Sequence, residues 1–284
     1  MTRFFDIFLP MLAPMIWGST YLVTSEWLPD GYPVTVAMLR ALPAGLLMLA
    51  FLRQWPEGGQ WLKVFVLGAL NFTLFWICLF VAAYRLPGGV AATLGAVQPL
   101  LVIGLTYSLL NHTVDMRSVL SGVAGIMGVA LLVLKSSIAL DFIGVAAALL
   151  GAASMAVGTI LSKQWRADIP LLTFTSWQLT AGGLLLLPLA LLLEPNFPHL
   201  NIHNIAGLAW LGLIGALLSY VLWFRGVAAL SSVQVSAFGF LSPLTAILLG
   251  WMVLGQSLNL FQVAGAVIIL GSIVTLNKTG AVKT

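Results

Sequence analysis

The sequence predicts an all-α membrane protein in which ten transmembrane helices form two inverted five-helix repeats around a central cavity. Hydrophobic residues make up 61% of the 284 residues and charged residues only 7%. The apolar residues fall into ten long runs, and the second half of the chain repeats Gly and Pro positions of the first half. A soluble domain of this length could not bury so much apolar surface, so lipid is the solvent for most of the chain.

Each apolar run is about long enough to cross ~30 Å of hydrocarbon as an α-helix. The runs do not alternate polar and apolar residues as transmembrane β-strands do, so helix is the predicted form. The predicted spans are residues 7–24, 34–52, 63–81, 87–110, 117–134, 142–162, 171–193, 205–224, 231–254 and 260–276.

The repeat appears as a constant spacing between matching residues. Gly and Pro matches carry most of its weight, because apolar matches arise easily in so hydrophobic a chain. At an offset of 144, Gly68, Gly95 and Pro99 match Gly212, Gly239 and Pro243, and at an offset of 143, Gly122 and Gly128 match Gly265 and Gly271. We predict two domains, residues 1–138 and 139–284. Five spans in each domain give the two copies opposite orientations, as in many alternating-access transporters.

The basic residues predict which side of the membrane each loop faces. With the N-terminus inside, nine Lys and Arg residues lie on the cytoplasmic side and only Arg85 and Lys135 on the other. The positive-inside rule then places both termini of this multi-pass protein in the cytoplasm. The basic residues are scattered without a patch, so we expect the lipid bilayer as a partner and no nucleic acid.

Two prolines predict paired hinges in the fourth and ninth spans. Pro99 and Pro243 lie near the middle of these spans, where proline removes the hydrogen bond to the carbonyl four residues earlier. That carbonyl belongs to Gly95 in the first half and to Gly239 in the second. We expect both carbonyls to be free and to face a cavity, water or a neighbouring helix. A packing kink is the alternative for one proline, whereas the symmetric pair favours a functional pivot or a wall of the binding site.

Polar and aromatic residues concentrate in four spans of each half, and these spans are predicted to line the cavity. The fifth and tenth spans carry glycines instead, which suit close helix packing. For single Ser and Thr residues the alternative role is hydrogen bonding to the backbone or between helices. For Trp residues near span ends the alternative is a position in the aromatic belt at the membrane interface. The candidate substrate-binding residues are Trp17, Thr20, Tyr21, Arg40, Asn71, Trp76, Gln98, Tyr220, Trp223 and Ser242.

Arg40 is the charged residue that we place inside a predicted span. An unpaired charge there costs about 2.5–3.5 kcal/mol on insertion scales, so Arg40 should have a partner or water. It could bind the carboxylate of a substrate, or it could tie helices together, and both interpretations stay open. Its counterpart in the second half is Gln178.

The sequence carries no signature of catalysis, ATP hydrolysis or proton coupling. It has no P-loop, no HExxH and no GxSxG motif, and no Asp or Glu falls within a predicted membrane core. We therefore expect no enzymatic activity, no catalytic residue, no cofactor and no metal. The single cysteine, Cys78, cannot form an internal disulfide.

The chain resembles the EamA branch of the drug/metabolite transporter superfamily over nearly its whole length. The resemblance rests on the Trp17-Gly18-Ser19-Thr20 start, Arg40 after the Pro33 loop, the segment from Leu86 to Pro99, the Gly-rich fifth span, and the echo from Leu230 to Gly271. It implies a ten-helix inner-membrane carrier with a central cavity between its halves. Members of this family often export amino acids or related metabolites.

We expect a secondary transporter of small polar or amphipathic metabolites that works by alternating access, most simply as an exporter. An uptake permease or exchanger of the same fold is the first alternative, because no motif reports direction. A membrane scaffold without cargo is the second, and it predicts a dry, apolar centre. A small-molecule substrate is the expected partner, and a homodimer is an assembly that the sequence allows.

Overall fold

The protein is helical throughout the part of the chain that the structure describes. The structure is a computed structural model that describes residues 2–29, 31–86, 94–110, 116–133, 141–166, 168–255 and 259–279. No β-strand occurs in these ranges. The α-helices are α1 (Thr2–Trp27), α2 (Pro33–Leu52), α3 (Gln60–Gly68), α4 (Phe75–Arg85), α5 (Gln98–Leu110), α6 (Met116–Val133), α7 (Phe142–Trp165), α8 (Leu171–Leu193), α9 (Ile202–Ala209), α10 (Ser219–Ala229), α11 (Ser232–Phe238), α12 (Leu241–Leu254) and α13 (Leu260–Thr279). Two π-helices, π1 (Ala69–Leu74) and π2 (Trp210–Leu218), continue α3 into α4 and α9 into α10.

Seven helical runs within the described ranges are long and apolar enough to cross a membrane. They are Phe5–Thr24, Pro33–Leu52, Gln60–Ala82, Phe142–Trp165, Leu171–Leu193, Ile202–Ala229 and Ser232–Val253. Met116–Leu132 and Leu260–Leu276 are shorter apolar helices, at the positions of the predicted fifth and tenth spans. The chain is therefore a multi-pass helical membrane protein. The predicted span 87–110 is described only from residue 94, and the predicted domain boundary at 138 lies outside the described residues.

The two prolines lie at helix starts rather than at kinks inside continuous helices. α11 ends at Phe238 and α12 begins at Leu241, so Pro243 lies in the first turn of α12. Pro99 likewise lies in the first turn of α5. Proline is tolerated there because the first turn needs no intrahelical N–H donor. The expected free carbonyl at Gly239 is wrong, since this oxygen accepts the Ser242 N–H at 3.1 Å across the break.

The two π-helices occupy matching positions in the two halves. A shift of 144 residues places π1 onto residues 213–218, which lie inside π2. A π turn contains an extra residue and bonds each N–H five residues back, so nearby carbonyls are shifted from their usual donors. No Pro lies in either stretch, and the sequence analysis did not predict them.

Helices α2 and α8 approach each other closely at two matching glycines. A Cβ on Gly45 would contact the backbone and side chain of Thr180, and a Cβ on Gly183 would lie 2.6 Å from the Cα of Leu42. These two contacts are equivalent, because Leu42 and Gly45 precede Thr180 and Gly183 by the same number of residues. Glycine is needed at both positions because a side chain would push the backbones apart.

Helices α6 and α13 also pack against each other. A Cβ on Gly128 would lie 2.9 Å from the carbonyl oxygen of Gly265, so these two glycines of the predicted spans do lie at a close contact, whereas a Cβ on Gly271 would meet no described atom within 4 Å. The Ser272 hydroxyl donates to the carbonyl oxygen of Ser121 in the same interface. Gln262 Nε2 donates to the Leu132 carbonyl at 3.3 Å near the end of α6.

Among the described residues, ion pairs link the N-terminal half of the chain (α1–α6) to the C-terminal half (α7–α13). Arg225 lies 2.8 Å from Asp6, and Arg85 lies 3.3 Å from Asp141. Each joins the start of the first helix of one half to the end of the third predicted span of the other. Asp141 also caps α7, because its carboxylate accepts a hydrogen bond from the Gly144 N–H. This hydrogen bond lowers the pKa of the Asp141 carboxyl below its usual range.

The contact between α2 and α8 predicts the effect of a single methyl group. We expect Gly183→Ala to lower the unfolding midpoint of the purified protein, because overpacking against Leu42 costs about 1–3 kcal/mol. Gly104→Ala is the matched control, since a Cβ on Gly104 meets no atom within 4 Å among the described residues. This control should hold or slightly raise the midpoint. Thermal unfolding in detergent measures both, and an equal midpoint for the two variants would contradict the close contact.

Candidate functional site

Five aromatic rings from both halves of the chain meet in the middle of the molecule and form what we call the aromatic cluster. Its members are Trp17 on α1, Phe72 in π1, Trp76 on α4, and Tyr220 and Trp223 on α10. The Trp17 ring lies 5.0 Å from Tyr220 and 5.1 Å from Trp223, measured between ring centroids. The Phe72 ring lies 4.5 Å from Tyr220 and 5.4 Å from Trp76. Four of the predicted site residues are thereby brought together.

The rings of the aromatic cluster pack on one another; four of the five are almost fully buried, and Trp17 is partly exposed. Trp76 is 2% exposed, Tyr220 and Trp223 are each 1% exposed, and Phe72 is 0% exposed. Their tilted and edge-on arrangements are those that aromatic quadrupoles favour. In this conformation the rings therefore fill the central space that the sequence predicts to be a cavity.

Arg40 lies beside the aromatic cluster and bonds to the backbone of π2. Its side chain is buried, with Cζ 4.8 Å from the centroid of the Trp76 ring. Arg40 Nη2 donates to the Gly215 carbonyl at 2.7 Å. Of the two roles left open by the sequence, these contacts are the ones expected of an arginine that ties helices together.

A chain of hydrogen bonds connects this carbonyl to α1. The Ser219 hydroxyl donates to the Gly215 carbonyl at 2.7 Å and accepts the Trp17 Nε1–H at 2.8 Å. The Gly215 carbonyl therefore has two side-chain donors, Arg40 and Ser219. The π turn shifts backbone groups from their usual hydrogen-bond partners in a region without bulk water. The two side chains provide hydrogen bonds to the Gly215 carbonyl there.

The π-helix of the N-terminal half is held by side chains and backbone of the C-terminal half. The Ser154 hydroxyl of α7 donates to the Leu70 carbonyl at 2.7 Å. Asn71 is 1% exposed, and its Nδ2 donates to Gln178 Oε1 at 2.8 Å and to Ser162 Oγ at 3.0 Å. The structure therefore places Asn71 in a polar cluster with α7 and α8, not among the aromatic rings.

The break between α11 and α12 lies close to the start of α5. Gln98 Oε1 would be 3.8 Å from a Cβ on Gly239, so the two predicted hinge regions face each other across the halves. A Cβ on Gly18 would lie 2.6 Å from the Ser242 carbonyl oxygen, which places α1 directly against the start of α12. Gly18 thus allows the backbone contact that brings Trp17 and the break together.

Three buried polar atoms near these elements have no hydrogen-bond partner among the described residues. They are Trp223 Nε1, Gln98 Nε2 and Thr20 Oγ1. Leaving a buried donor unsatisfied costs about 1–3 kcal/mol, so such groups call for an explanation in function or in bound water. All three belong to residues that the sequence predicts to contact substrate.

The remaining site residues are placed less fully. Tyr21 lies on α1, but its side chain is outside the described part of the chain. Ser242 lies in the first turn of α12, and Gly95 lies just before the start of α5. The candidate list omitted Phe72 and Ser219, because Phe72 is an ordinary apolar residue of a span and Ser219 is a lone serine. Only the π-helical register shows that both face the centre.

Comparison with known proteins identifies the family. The model of the EamA-like transporter family matches residues 4–134 and again residues 142–278. The chain belongs to the EamA-like transporter family. It is therefore a membrane transporter, and the resemblance drawn from Trp17-Gly18-Ser19-Thr20 and the repeat is confirmed.

Relatives of this EamA-like chain cover nearly all of it. Protein PecM of Dickeya dadantii is 44% identical over 92% of this chain and 89% of its own length. A WAT1-related chloroplastic protein of Arabidopsis thaliana is 27% identical over 94% of this chain and 68% of its own length. The uncharacterised inner membrane transporter YedA of Escherichia coli K12 is 24% identical, with coverages of 93% and 88%. A solved crystal structure shares the fold, with a TM-score of 0.83 at 17% identity over 97% of both chains.

The shared Gly215 carbonyl predicts a coupled effect on stability. We expect Arg40→Met and Ser219→Ala each to lower the free energy of unfolding by about 1–2 kcal/mol, because each removes one of two donors to this oxygen. The double variant should lose more than the sum, since it leaves the carbonyl without either side-chain donor. Thermal unfolding in detergent measures the cycle. A stable Arg40→Met variant that had lost only transport of carboxylate-bearing substrates would instead support the substrate-binding role.

Proposed function

We propose that this EamA-like transporter is a secondary carrier that exports small amino-acid-like or amphipathic metabolites by alternating access. Ten transmembrane helices would form two inverted five-helix repeats, residues 1–138 and 139–284, with the substrate bound between them. The aromatic cluster carries this proposal, because rings of both repeats meet there and a rocking motion of the repeats would open and close it.

Reciprocal contacts between the halves support the inverted repeat. α1 packs against α10, and the equivalent pair α7 and α4 packs in the same way. Arg40 on α2 reaches π2, while its counterpart Gln178 on α8 reaches Asn71 in π1. Two copies related by a pseudo-two-fold axis in the membrane plane make each contact twice, at opposite depths. The two separate matches to the family model are consistent with this duplication.

The aromatic cluster supports a substrate with an apolar or cationic part. Ring faces attract ammonium groups and pack against apolar side chains. The unpartnered Trp223 Nε1, Gln98 Nε2 and Thr20 Oγ1 would orient polar groups of the cargo. Since the rings now fill the centre, substrate entry would require them to separate, which fits one closed state of a carrier cycle better than an open pore.

Two other functions remain as candidates. An uptake permease or exchanger would use the same site in the opposite direction. A scaffold without cargo would keep the aromatic cluster permanently packed. The buried unpartnered donors favour a carrier over a scaffold, because a permanently dry centre gives these groups no compensation.

Efflux from proteoliposomes tests the carrier directly. We expect Trp76→Ala, Tyr220→Ala and Gln98→Ala each to reduce the initial rate of export of a transported metabolite about tenfold, which corresponds to the loss of ~1.4 kcal/mol of interaction. Candidate cargo is chosen by profiling metabolites in the medium of cells with and without the protein. Placing the metabolite inside the vesicles in one experiment and outside them in another, and comparing the two initial rates, distinguishes export from uptake.

Two exposed aromatic residues provide matched controls for these variants. Trp251 is 48% exposed and Tyr107 is 64% exposed, so Trp251→Ala and Tyr107→Ala remove equivalent rings away from the aromatic cluster. They should leave the rate within about twofold of wild type. Full activity in all three core variants would refute the proposed site, and an absence of any cargo-dependent flux would favour the scaffold.

The proposed topology predicts which introduced cysteines react from outside. In a Cys78→Ala background, Lys135→Cys should react with an impermeant maleimide on intact cells, because its loop is placed outside. Lys63→Cys and Lys278→Cys should react only after permeabilisation. Labelling of all three positions from the same side would overturn the inverted arrangement.

A further inference from the structure

A second site lies away from the aromatic cluster, at one end of the helices. A pocket of about 410 Å³ opens between the start of α3 and the connection from α7 to α8. α3 belongs to the N-terminal half and α7 and α8 to the C-terminal half, so both halves build its walls. Its volume falls in the range of ~300–1,000 Å³ that is common for small-molecule sites.

The pocket presents one cationic and one anionic side chain. Lys63 on α3 and Asp168, between α7 and α8, both line it, and both are exposed to solvent. Within the described ranges, neither residue forms an ion pair, so the ammonium and the carboxylate do not neutralise each other. The lining of this one pocket therefore offers an opposite charge to each end of a zwitterion.

Apolar side chains form the floor of the pocket. Val64 is 3% exposed and Phe174 is 2% exposed, and the half-buried Trp165 and Ile169 complete the lining. Such a floor excludes water from the apolar body of a ligand while the rim stays wet. The Phe174 ring also lies 5.8 Å from Phe224, whose ring lies 5.9 Å from Tyr220, so aromatic contacts connect the floor to the aromatic cluster.

Hydrogen bonds outside the pocket hold both of its walls in place. Trp177 Nε1 on α8 donates to the carbonyl of Gln54, which fixes the segment before α3 against α8. Arg166 Nη1 donates to the Ile169 carbonyl at 3.3 Å, and the Ile169 N–H donates to the Arg166 carbonyl at 3.0 Å. These bonds link Arg166 to Ile169 and Trp177 to Gln54 without any ligand, which lowers the entropy cost of binding.

We propose that this pocket binds a small zwitterion with an apolar or aromatic body, of the chemical class of an α-amino acid. The ligand carboxylate pairs with the Lys63 ammonium, the ligand ammonium pairs with the Asp168 carboxylate, and the body rests on Phe174 and Trp165. The site is distinct from the aromatic cluster, and ligand binding there stands or falls independently of export.

Equilibrium dialysis on the purified full-length protein tests the charge assignments with three related probes. Phenylalanine carries both charges, phenethylamine only the ammonium, and 3-phenylpropionate only the carboxylate. We expect phenylalanine to bind wild-type protein about fivefold more tightly than either analogue, the scale of one partly exposed charge pair. Lys63→Gln should weaken phenylalanine and 3-phenylpropionate about fivefold and leave phenethylamine unchanged. Asp168→Asn should weaken phenylalanine and phenethylamine and leave 3-phenylpropionate unchanged.

Neighbouring charges outside the pocket serve as controls. Arg53→Gln and Glu57→Gln remove an exposed cation and an exposed carboxylate just before α3, and all three affinities should stay at their wild-type values. The proposal is wrong if phenylalanine does not bind, if the three probes bind equally, or if Lys63→Gln and Asp168→Asn shift every probe alike. Because the assay measures binding alone, a failure of transport would not change its result.

Discussion

The structure depends on the rule that every backbone polar group in hydrocarbon must find a partner inside the protein. The two π-helices displace carbonyls from their usual N–H donors, and no bulk water is available to replace them. At π2 the Gly215 carbonyl is satisfied by Ser219 and Arg40. At π1 the Leu70 carbonyl accepts the Ser154 hydroxyl. Arg40 and Ser154 come from the opposite half of the chain, so the bonds that satisfy the backbone also hold the halves together.

The same π-helices help to place the aromatic cluster. An extra residue in a turn rotates the faces of the helix that follows relative to the helix before it. Trp76 follows π1 and Tyr220 follows π2, and in both cases the rotated face is the one that meets the other half. Phe72 lies within π1 itself. A straight α-helix through either stretch would turn these rings to a different side, so the cluster and the irregular backbone belong together.

Composition and periodicity were sufficient to predict the helical class, the membrane setting and most of the spans. The Trp17, Trp76, Tyr220 and Trp223 grouping was also predictable, because large aromatic residues deep in a span stand out against Leu and Ala. Finer features were not predictable for physical reasons. A proline in a span signals a disturbance but not whether the helix bends or restarts, and at Pro243 it restarts. The π-helices depend on contacts with distant residues such as Arg40, which no local pattern reports. The Lys63 and Asp168 pocket joins residues more than one hundred positions apart in the sequence, and two scattered surface charges carry no signal of their own.

The contact that Arg40 makes with the C-terminal half involves a charged side chain, whereas the equivalent contact of its counterpart Gln178 involves a neutral one. Among the described residues, the buried positive charge of Arg40 in the N-terminal half therefore has an uncharged counterpart in the C-terminal half. An elementary charge that crosses the full membrane potential changes its energy by about 2.3 kcal/mol per 100 mV. A rocking motion that carried Arg40 through one tenth of the field would be biased by about 0.2 kcal/mol per 100 mV, even with a neutral cargo. The voltage across the membrane would thus act on the empty protein, and the two resting orientations would not be equally populated.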